Sequence, residues 1–222
     1  VLDEPFYGVY LEKTEFDHPG KNEIKKSLPL EEDAVLNQIF ANASGSSHMF
    51  IKNMASHFLV LDAKKFATFQ NVFLIRDPLR IITSYSKVIK TPTAQDIGIE
   101  RQAKLFKWYT KNSTTSPLVI DSNDILSNPE VHLRSLCIAL GIDFQQNMLS
   151  WPAGEKDYDG IWAPYWYKHV HRSTHFEKQP SSEDPLPSYL EPLYKESRDH
   201  YRFLYKHSIT NPENAAKIQS KK

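Results

Sequence analysis

Apolar residues along the chain fall into two kinds of pattern, short unbroken runs and helically spaced sets, which together predict an α/β protein. Val72, Phe73, Leu74 and Ile75 form a continuous run of strand formers, read as a strand buried on both faces of a parallel sheet. Residues 117–121, Pro-Leu-Val-Ile-Asp, predict a second strand, residues 48–52 a third, and Val1-Leu2 the stub of a fourth, ended by Asp3-Glu4-Pro5. Helical spacing runs through Phe6, Tyr7, Tyr10 and Leu11, and through Val35, Leu36, Ile39 and Phe40 within a helix over 30–41. Glu31, Glu32 and Asp33 suit the positive end of that second helix. Further helices are predicted over 94–111 and 131–140, and a final amphipathic one through Leu193, Tyr194, Tyr201, Leu204 and Tyr205, expected to pack on the sheet.

Capping and breaking residues set the boundaries. Asp77-Pro78 follows the 72–75 strand, a cap and first helical position for a helix running from Leu79 towards Val88. Asn128-Pro129 opens the 131–140 helix and Gly141 stops it, while Asp124 starts a further segment before it. Residues 18–29, with Pro19-Gly20 and Lys21, Lys25 and Lys26, read as a polar loop, either a substrate lid or plain surface. Gly45-Ser46-Ser47 breaks the preceding helix, 90–93 and 180–187 are loops, and 211–222 is a frayed tail behind a single domain over 1–210.

Composition narrows the function classes. A chain of 222 residues suits one α/β domain with a full core. Its 27 basic and 27 acidic residues leave no global field to recruit nucleic acid, so the substrate must be recognised locally. The single cysteine, Cys137, excludes an internal disulfide, and among Leu133, Leu136 and Leu140 it reads as a small buried hydrophobe. No run is long and apolar enough to span a membrane, and nothing reads as a signal peptide, so a cytoplasmic location is expected. The chain opens on Val1, which leaves room for an upstream targeting segment or anchor. Asn42-Ala43-Ser44 and Asn112-Ser113-Thr114 match glycosylation sequons, a pattern short enough to arise by chance.

The chemistry concentrates around residues 71–88. In an open α/β sheet ligands bind beyond the carboxyl ends of the strands, where Arg76 stands. A guanidinium there, beside a helix N-terminus with oriented N–H groups, suits a phosphate. Ser84 lies eight positions on, about two helical turns.

Ile75-Arg76-Asp77-Pro78 followed by Ser84-Tyr85 resembles the 3′-phosphate-binding signature of the sulfotransferases, in which an Arg and a Ser eight residues apart hold the 3′-phosphate of PAPS (3′-phosphoadenylyl sulfate). Lys52 precedes Arg76 by twenty-four residues, similar to the spacing of the active-site lysine in cytosolic members. The chain is most like bacterial-type and plant sulfotransferase-like proteins, some of which carry a branched-chain aminotransferase-like label. Their pattern recurs from Asp3 to Phe176: a Glu-Pro-Phe start, an Asn-Pro helix with Leu-Cys and Leu-Gly, Met-Leu-Ser-Trp-Pro, then Trp-Tyr and Ser-Thr.

The resemblance implies a P-loop NTPase-like parallel sheet flanked by helices on both faces. In the relatives the first strand and the phosphate-cradling loop come before the Glu-Pro-Phe turn, so both are expected to be missing here and these residues alone not to be a competent enzyme. It further implies transfer of a sulfuryl group from PAPS to a hydroxyl or amine of a small-molecule or carbohydrate acceptor, leaving PAP, with no metal. Lys52 would neutralise charge on the bridging oxygen. Glu4 matches a proposed general base; the residue-level alternative, a helix-start carboxylate, stands beside it. A carboxylate base among cationic groups should stay ionised over a wide pH range. His57 is the other candidate base, but relatives with Lys-Thr-His have the histidine two positions after the lysine, where Met54 stands. Ser122 falls where cytosolic members have an adenine-contacting Tyr, so that contact does not carry over.

Residues 148–176 hold every tryptophan but Trp108, with Tyr158, Tyr165, Tyr167, His169, His171 and His175, and suit an aromatic lid over an acceptor pocket. The histidine spacing is possible for a metal, without an evident acidic or cysteine partner set. Arg172-Ser173-Thr174 resembles a segment that returns over the cofactor, with His175 where relatives have Gly, leaving Arg172 as the contact. Two other readings remain: a nucleotide-binding or interaction module without catalysis, and a nucleotide-dependent phosphotransferase, which would need a GK[ST] loop and a metal-binding acid.

Overall fold

The computed structural model describes residues 1–43, 48–87, 89, 91–178 and 186–211. The expected breaker Gly45-Ser46-Ser47, the helix end at Val88, Lys90, most of the 180–187 loop and the tail beyond 211 therefore lie outside the described residues. In chain order the elements are β1 (Leu2–Asp3), α1 (Tyr7–Lys13), α2 (Lys21–Ser27), α3 (Glu32–Ala43), β2 (Ile51–Lys52), β3 (Val72–Ile75), α4 (Pro78–Tyr85), α5 (Ala94–Ile97), α6 (Ile99–Asn112), β4 (Leu118–Asp121), α7 (Ser122–Ser127), α8 (Pro129–Leu140), α9 (Ala163–Trp166) and α10 (Glu191–Tyr205), with 3₁₀ turns at Ala55–Leu59 and Val170–Arg172 among others. The chain forms two compact units, one of Val1–Asp62 with Pro152–Thr174, the other of Ala63–Trp151 with His175–Lys222.

In the first unit β1 and β2 pair in parallel, Leu2 against Ile51 and Asp3 against Lys52. The expected strand over 48–52 is thus only its last two residues. Tyr7, Tyr10 and Leu11 of α1, Ile24 and Trp162 form the buried cluster beneath. The polar loop expected over 18–29 is instead helix α2. Gly20 takes a left-handed φ of 74°, and a Cβ there would come within 2.8 Å of the Tyr165 ring, so glycine is the residue that fits. Ile24 is the one apolar side chain that α2 buries, and its burial overrides the polar composition around it.

In the second unit β3 and β4 pair in parallel over four residues, and Val119 also bridges to Ser208. The parallel pairing matches the expected fold class; the described sheets are two, each of two strands. The expectation that β3 is buried on both faces is corrected: Phe73 and Ile75 are buried, but Val72 is 38 % and Leu74 55 % exposed. Successive strand residues point to opposite faces, and only the Phe73 and Ile75 side is covered, Phe73 meeting Phe106 of α6 edge to face at 5.9 Å between centroids. Helix α10 packs on α4, α6 and both strands of this unit. The 94–111 helix is two, broken where Gly98 ends α5 with a left-handed φ of 74°. The α7 start also differs, since Asp121 and not Asp124 is its cap, accepting from the N–H groups of Asn123 and Asp124. Pro129 opens α8 and Gly141 closes it as expected. Cys137 is buried and free. Among the described residues no helix is long and apolar enough to cross a membrane.

Candidate functional site

The first unit gathers its chemistry where β1 and β2 end side by side. Parallel pairing carries on one residue past β1, with Glu4 N–H donating to the Lys52 carbonyl at 2.9 Å. Glu4 then turns with φ 47°, a left-handed conformation costing a residue with a Cβ about 1–3 kcal/mol, and such strain clusters at functional sites. Several contacts hold it there. The Glu4 carbonyl accepts from Tyr7 N–H at 2.9 Å, launching α1, and its side chain Oε1 accepts from Lys52 Nζ at 2.6 Å.

Lys52 is the hub. Besides Glu4, its ammonium donates to Asp3 Oδ1 at 3.2 Å and to the Tyr167 hydroxyl at 2.5 Å. Three N–H bonds meet three acceptors, so the ammonium is saturated. The Tyr167 hydroxyl in turn donates to the Asp3 carboxylate, at 2.8 Å to Oδ2 and 2.9 Å to Oδ1. Gly160 N–H also donates to Asp3 Oδ2, at 3.3 Å.

Burial sets the electrostatics. Glu4 is 6 % exposed, and desolvation raises its carboxyl above the ordinary range although Lys52 pulls it back. Losing water outweighs one ammonium, and Asp3 adds a like charge, which narrows from its acid side the wide range of ionisation expected of this carboxylate. Desolvation alone would lower Lys52, but the Glu4 charge and the bonds from Glu4 and Tyr167 hold it above its usual value. Tyr167 is pushed up to about 12, first by burial. Burial and the Lys52 ammonium thus act on the Glu4 carboxyl in opposite senses, while the same carboxylate holds Lys52 protonated.

His57 lies beneath this pair, 1 % exposed, with Tyr7 stacked at 5.5 Å and Tyr10 tilted at 5.2 Å between centroids. Its Nε2 is 3.6 Å from Glu4 Oε2, too long for a hydrogen bond, and its Nδ1 has no partner. Desolvation first, then the charges of Lys52 and His18, lower it to about 3. A buried imidazole whose protonated form is so disfavoured is a poor base at neutral pH, whereas burial raises the basicity of Glu4, and its Oε2 lies opposite the oxygen that accepts from Lys52.

Arg76 and Ser84 belong to the second unit. Arg76 follows β3 directly and is half-buried, with burial and then the neighbouring Arg80 lowering its pKa. An anion placed against it would relieve both effects. Ser84 is on the exposed face of α4. The helix N-terminus does not add the expected free N–H groups. Leu79 N–H is capped by the Asp77 carboxylate at 2.8 Å, and the N–H groups of Arg80 and Ile81 go to the Asp77 carbonyl at 3.0 and 3.2 Å. The side chains of Arg76 and Ser84, not those N–H groups, are the ones that the resemblance assigns to a phosphate.

Arg172 ends a 3₁₀ turn of the first unit and is exposed. Of the histidines beside it, His171 Nε2 meets Asp159 Oδ2 at 2.9 Å and His175 lies 3.4 Å from Glu177. The acidic partner absent from the sequence reading is thus Asp159, but among the described residues no group of three or more such side chains could hold a metal. Sequence reasoning assigned no role to Asp3 and gave Tyr167 only a place in the lid. A carboxylate at a strand end, next to the candidate base, was the signal for Asp3. Nothing local marks Tyr167.

Residues 1–201 match the family model of the sulfotransferase domain. The chain belongs to this family, as its Arg-Asp-Pro and Ser-Tyr spacing suggested. Two proteins of Arabidopsis thaliana, branched-chain-amino-acid aminotransferase-like proteins 1 and 2, are each 33 % identical over 232 residues, covering 97 % of this chain. The chain spans 41 % of the length of each. No solved structure matches it.

Proposed function

We propose that the protein transfers a sulfuryl group from PAPS to a hydroxyl or amine, with Glu4 as general base. The observation that carries this is the Glu4–Lys52 pair at 2.6 Å, in a chain of the sulfotransferase domain family. Glu4 Oε2 takes the acceptor's proton as its oxygen or nitrogen bonds to sulfur. The bond from sulfur to the bridging oxygen breaks, and PAP leaves with the electron pair. Lys52 balances charge gathering on that oxygen, which requires it to release one of its three present partners. His57, neutral, backs Glu4. Arg76 and Ser84 take the 3′-phosphate through their side chains, and Arg172 offers a further cation to the nucleotide. The fold that goes with this reading is the P-loop type of α/β sheet.

A second reading, nucleotide binding without turnover, draws on the saturation of Lys52 by Asp3, Glu4 and Tyr167. Full-length protein offered labelled PAPS with a panel of hydroxyl and amine acceptors separates the two. Acceptor-dependent formation of PAP is expected. PAP binding without turnover on any acceptor leaves the second reading, and neither binding nor turnover removes both.

A further inference from the structure

Glu4 and Lys52 are reached by a third group that neither the family nor the strand ends required. The Tyr167 hydroxyl accepts from Lys52 at 2.5 Å while donating to Asp3 at 2.8 Å, and Trp162 Nε1 lies 3.4 Å from the same oxygen. The Lys52 ammonium also lies 4.8 Å from the centre of the Tyr167 ring. The same Asp3 oxygen, Oδ2, also accepts from Gly160 N–H at 3.3 Å. Tyr167 and Gly160 both come from Pro152–Thr174, whereas Asp3 and Lys52 end the two strands and Glu4 directly follows the first. The far segment therefore closes a relay running from Asp3 through Tyr167 to Lys52 and Glu4.

The distances within that relay are unequal. Glu4 and Tyr167 hold the ammonium at 2.6 and 2.5 Å, and Asp3 at 3.2 Å. A short charge-assisted bond is the stronger one, so Asp3 is the partner a donor oxygen would replace at least cost. Asp3 would still hold the Tyr167 hydroxyl, which keeps that oxygen's lone pair turned to the ammonium. We infer that Tyr167, backed by Asp3, is the positioning residue of Lys52, keeping the ammonium on Oε1 of Glu4 and leaving Oε2 for the acceptor's proton. The inference rests on the sulfuryl-transfer reading for what Lys52 does, and on geometry alone for what holds Lys52.

The test is Tyr167→Phe in the full-length protein, which keeps the ring and deletes the hydroxyl. The Lys52 side chain is 39 % exposed, so an amine-acylating reagent can reach it. Acetic anhydride labelling of Lys52, followed by mass spectrometry without donor at a series of pH values, reports its protonation and partners. The charged or titratable groups acting with it are Asp3, Glu4, Tyr167 and His57, with His18 acting on His57 in turn, and the variant alters only the tyrosine. Labelling at a given pH is expected to quicken by roughly tenfold or more, and kcat to fall about ten- to a hundredfold with PAP affinity unchanged, as for loss of a hydrogen bond to a charged group. Asp3→Asn, which still accepts from Tyr167, should move both readouts in the same direction by less. Should Tyr167→Phe fail to fold, Tyr167→Met, which fills the space without an acceptor for Lys52, is read by the same labelling: faster labelling supports the inference and unchanged labelling overturns it. Unchanged Lys52 labelling in a folded Tyr167→Phe protein also overturns it. Faster labelling in a protein that never turns over PAPS upholds the positioning of Lys52 and sinks the sulfuryl-transfer reading alone.

Discussion

Glu4 and Lys52 are joined twice, by a main-chain bond of 2.9 Å from Glu4 N–H to the Lys52 carbonyl and by a side-chain bond of 2.6 Å in the reverse sense. The first bond extends the β1/β2 ladder, and the second follows from it, because parallel pairing sets the two side chains at the same end of the strands. A buried carboxylate and an ammonium are thereby fixed together at the cost of a left-handed backbone at Glu4.

Replacing Glu4 by Gln should lower kcat by about 10²–10⁴-fold, the range for losing a general base, while leaving PAP affinity nearly intact. The acid limb of the wild-type rate profile should lie above the ordinary glutamate range, because burial raises Glu4. Activity of Glu4→Gln together with a dead His57→Ala would exchange their roles.

Arg76→Ala should weaken PAP binding by about ten- to a hundredfold, equivalent to roughly 1.5–3 kcal/mol for a charged hydrogen bond in a half-buried setting. Calorimetric titration of the full-length protein checks this. Equal affinities for variant and wild type would remove Arg76 from the nucleotide site.

His57 should make the protein acid-sensitive. Its folded pKa is depressed to about 3 from 6.5, so between those values the unfolded chain binds a proton that the folded chain does not. Stability therefore rises with pH up to about 6.5 and then levels off, with a slope of at most about 1.4 kcal/mol per pH unit. Glu4, with its raised folded pKa, acts in the opposite sense just above 4.5. Urea unfolding of wild type and His57→Gln from about pH 4 to 8 isolates the histidine, and parallel stability curves would contradict a neutral, buried His57.

Ile24→Ala tests α2. Ile24 is fully buried against Tyr10, Leu11 and their neighbours, so truncation should cost about 2–5 kcal/mol in denaturant unfolding. A surface loop at 18–29 would show a change within about 0.5 kcal/mol.

Local chemistry in the sequence was enough to set β3 with its Asp77 cap and Pro78, α8 between Pro129 and Gly141, the apolar face of α1, and the family itself through Arg76 and Ser84. Caps, proline and hydrophobic spacing act over a few residues, so they can be read one stretch at a time. Lys52 and Glu4 were legible as candidates only through the resemblance, Lys52 by its spacing to Arg76 and Glu4 by its place in the Glu-Pro-Phe turn. Tertiary structure alone decided which groups meet there. Tyr167 reaches Asp3 across 164 positions and Lys52 across 115, and no local pattern encodes a contact between residues so far apart. Burial is likewise a property of the assembled core: it raised Glu4, neutralised His57, turned a polar stretch into α2 around Ile24, and left Val72 and Leu74 exposed on the uncovered face of β3. Composition sets how much apolar surface a chain can hide, and packing determines which charge loses its water.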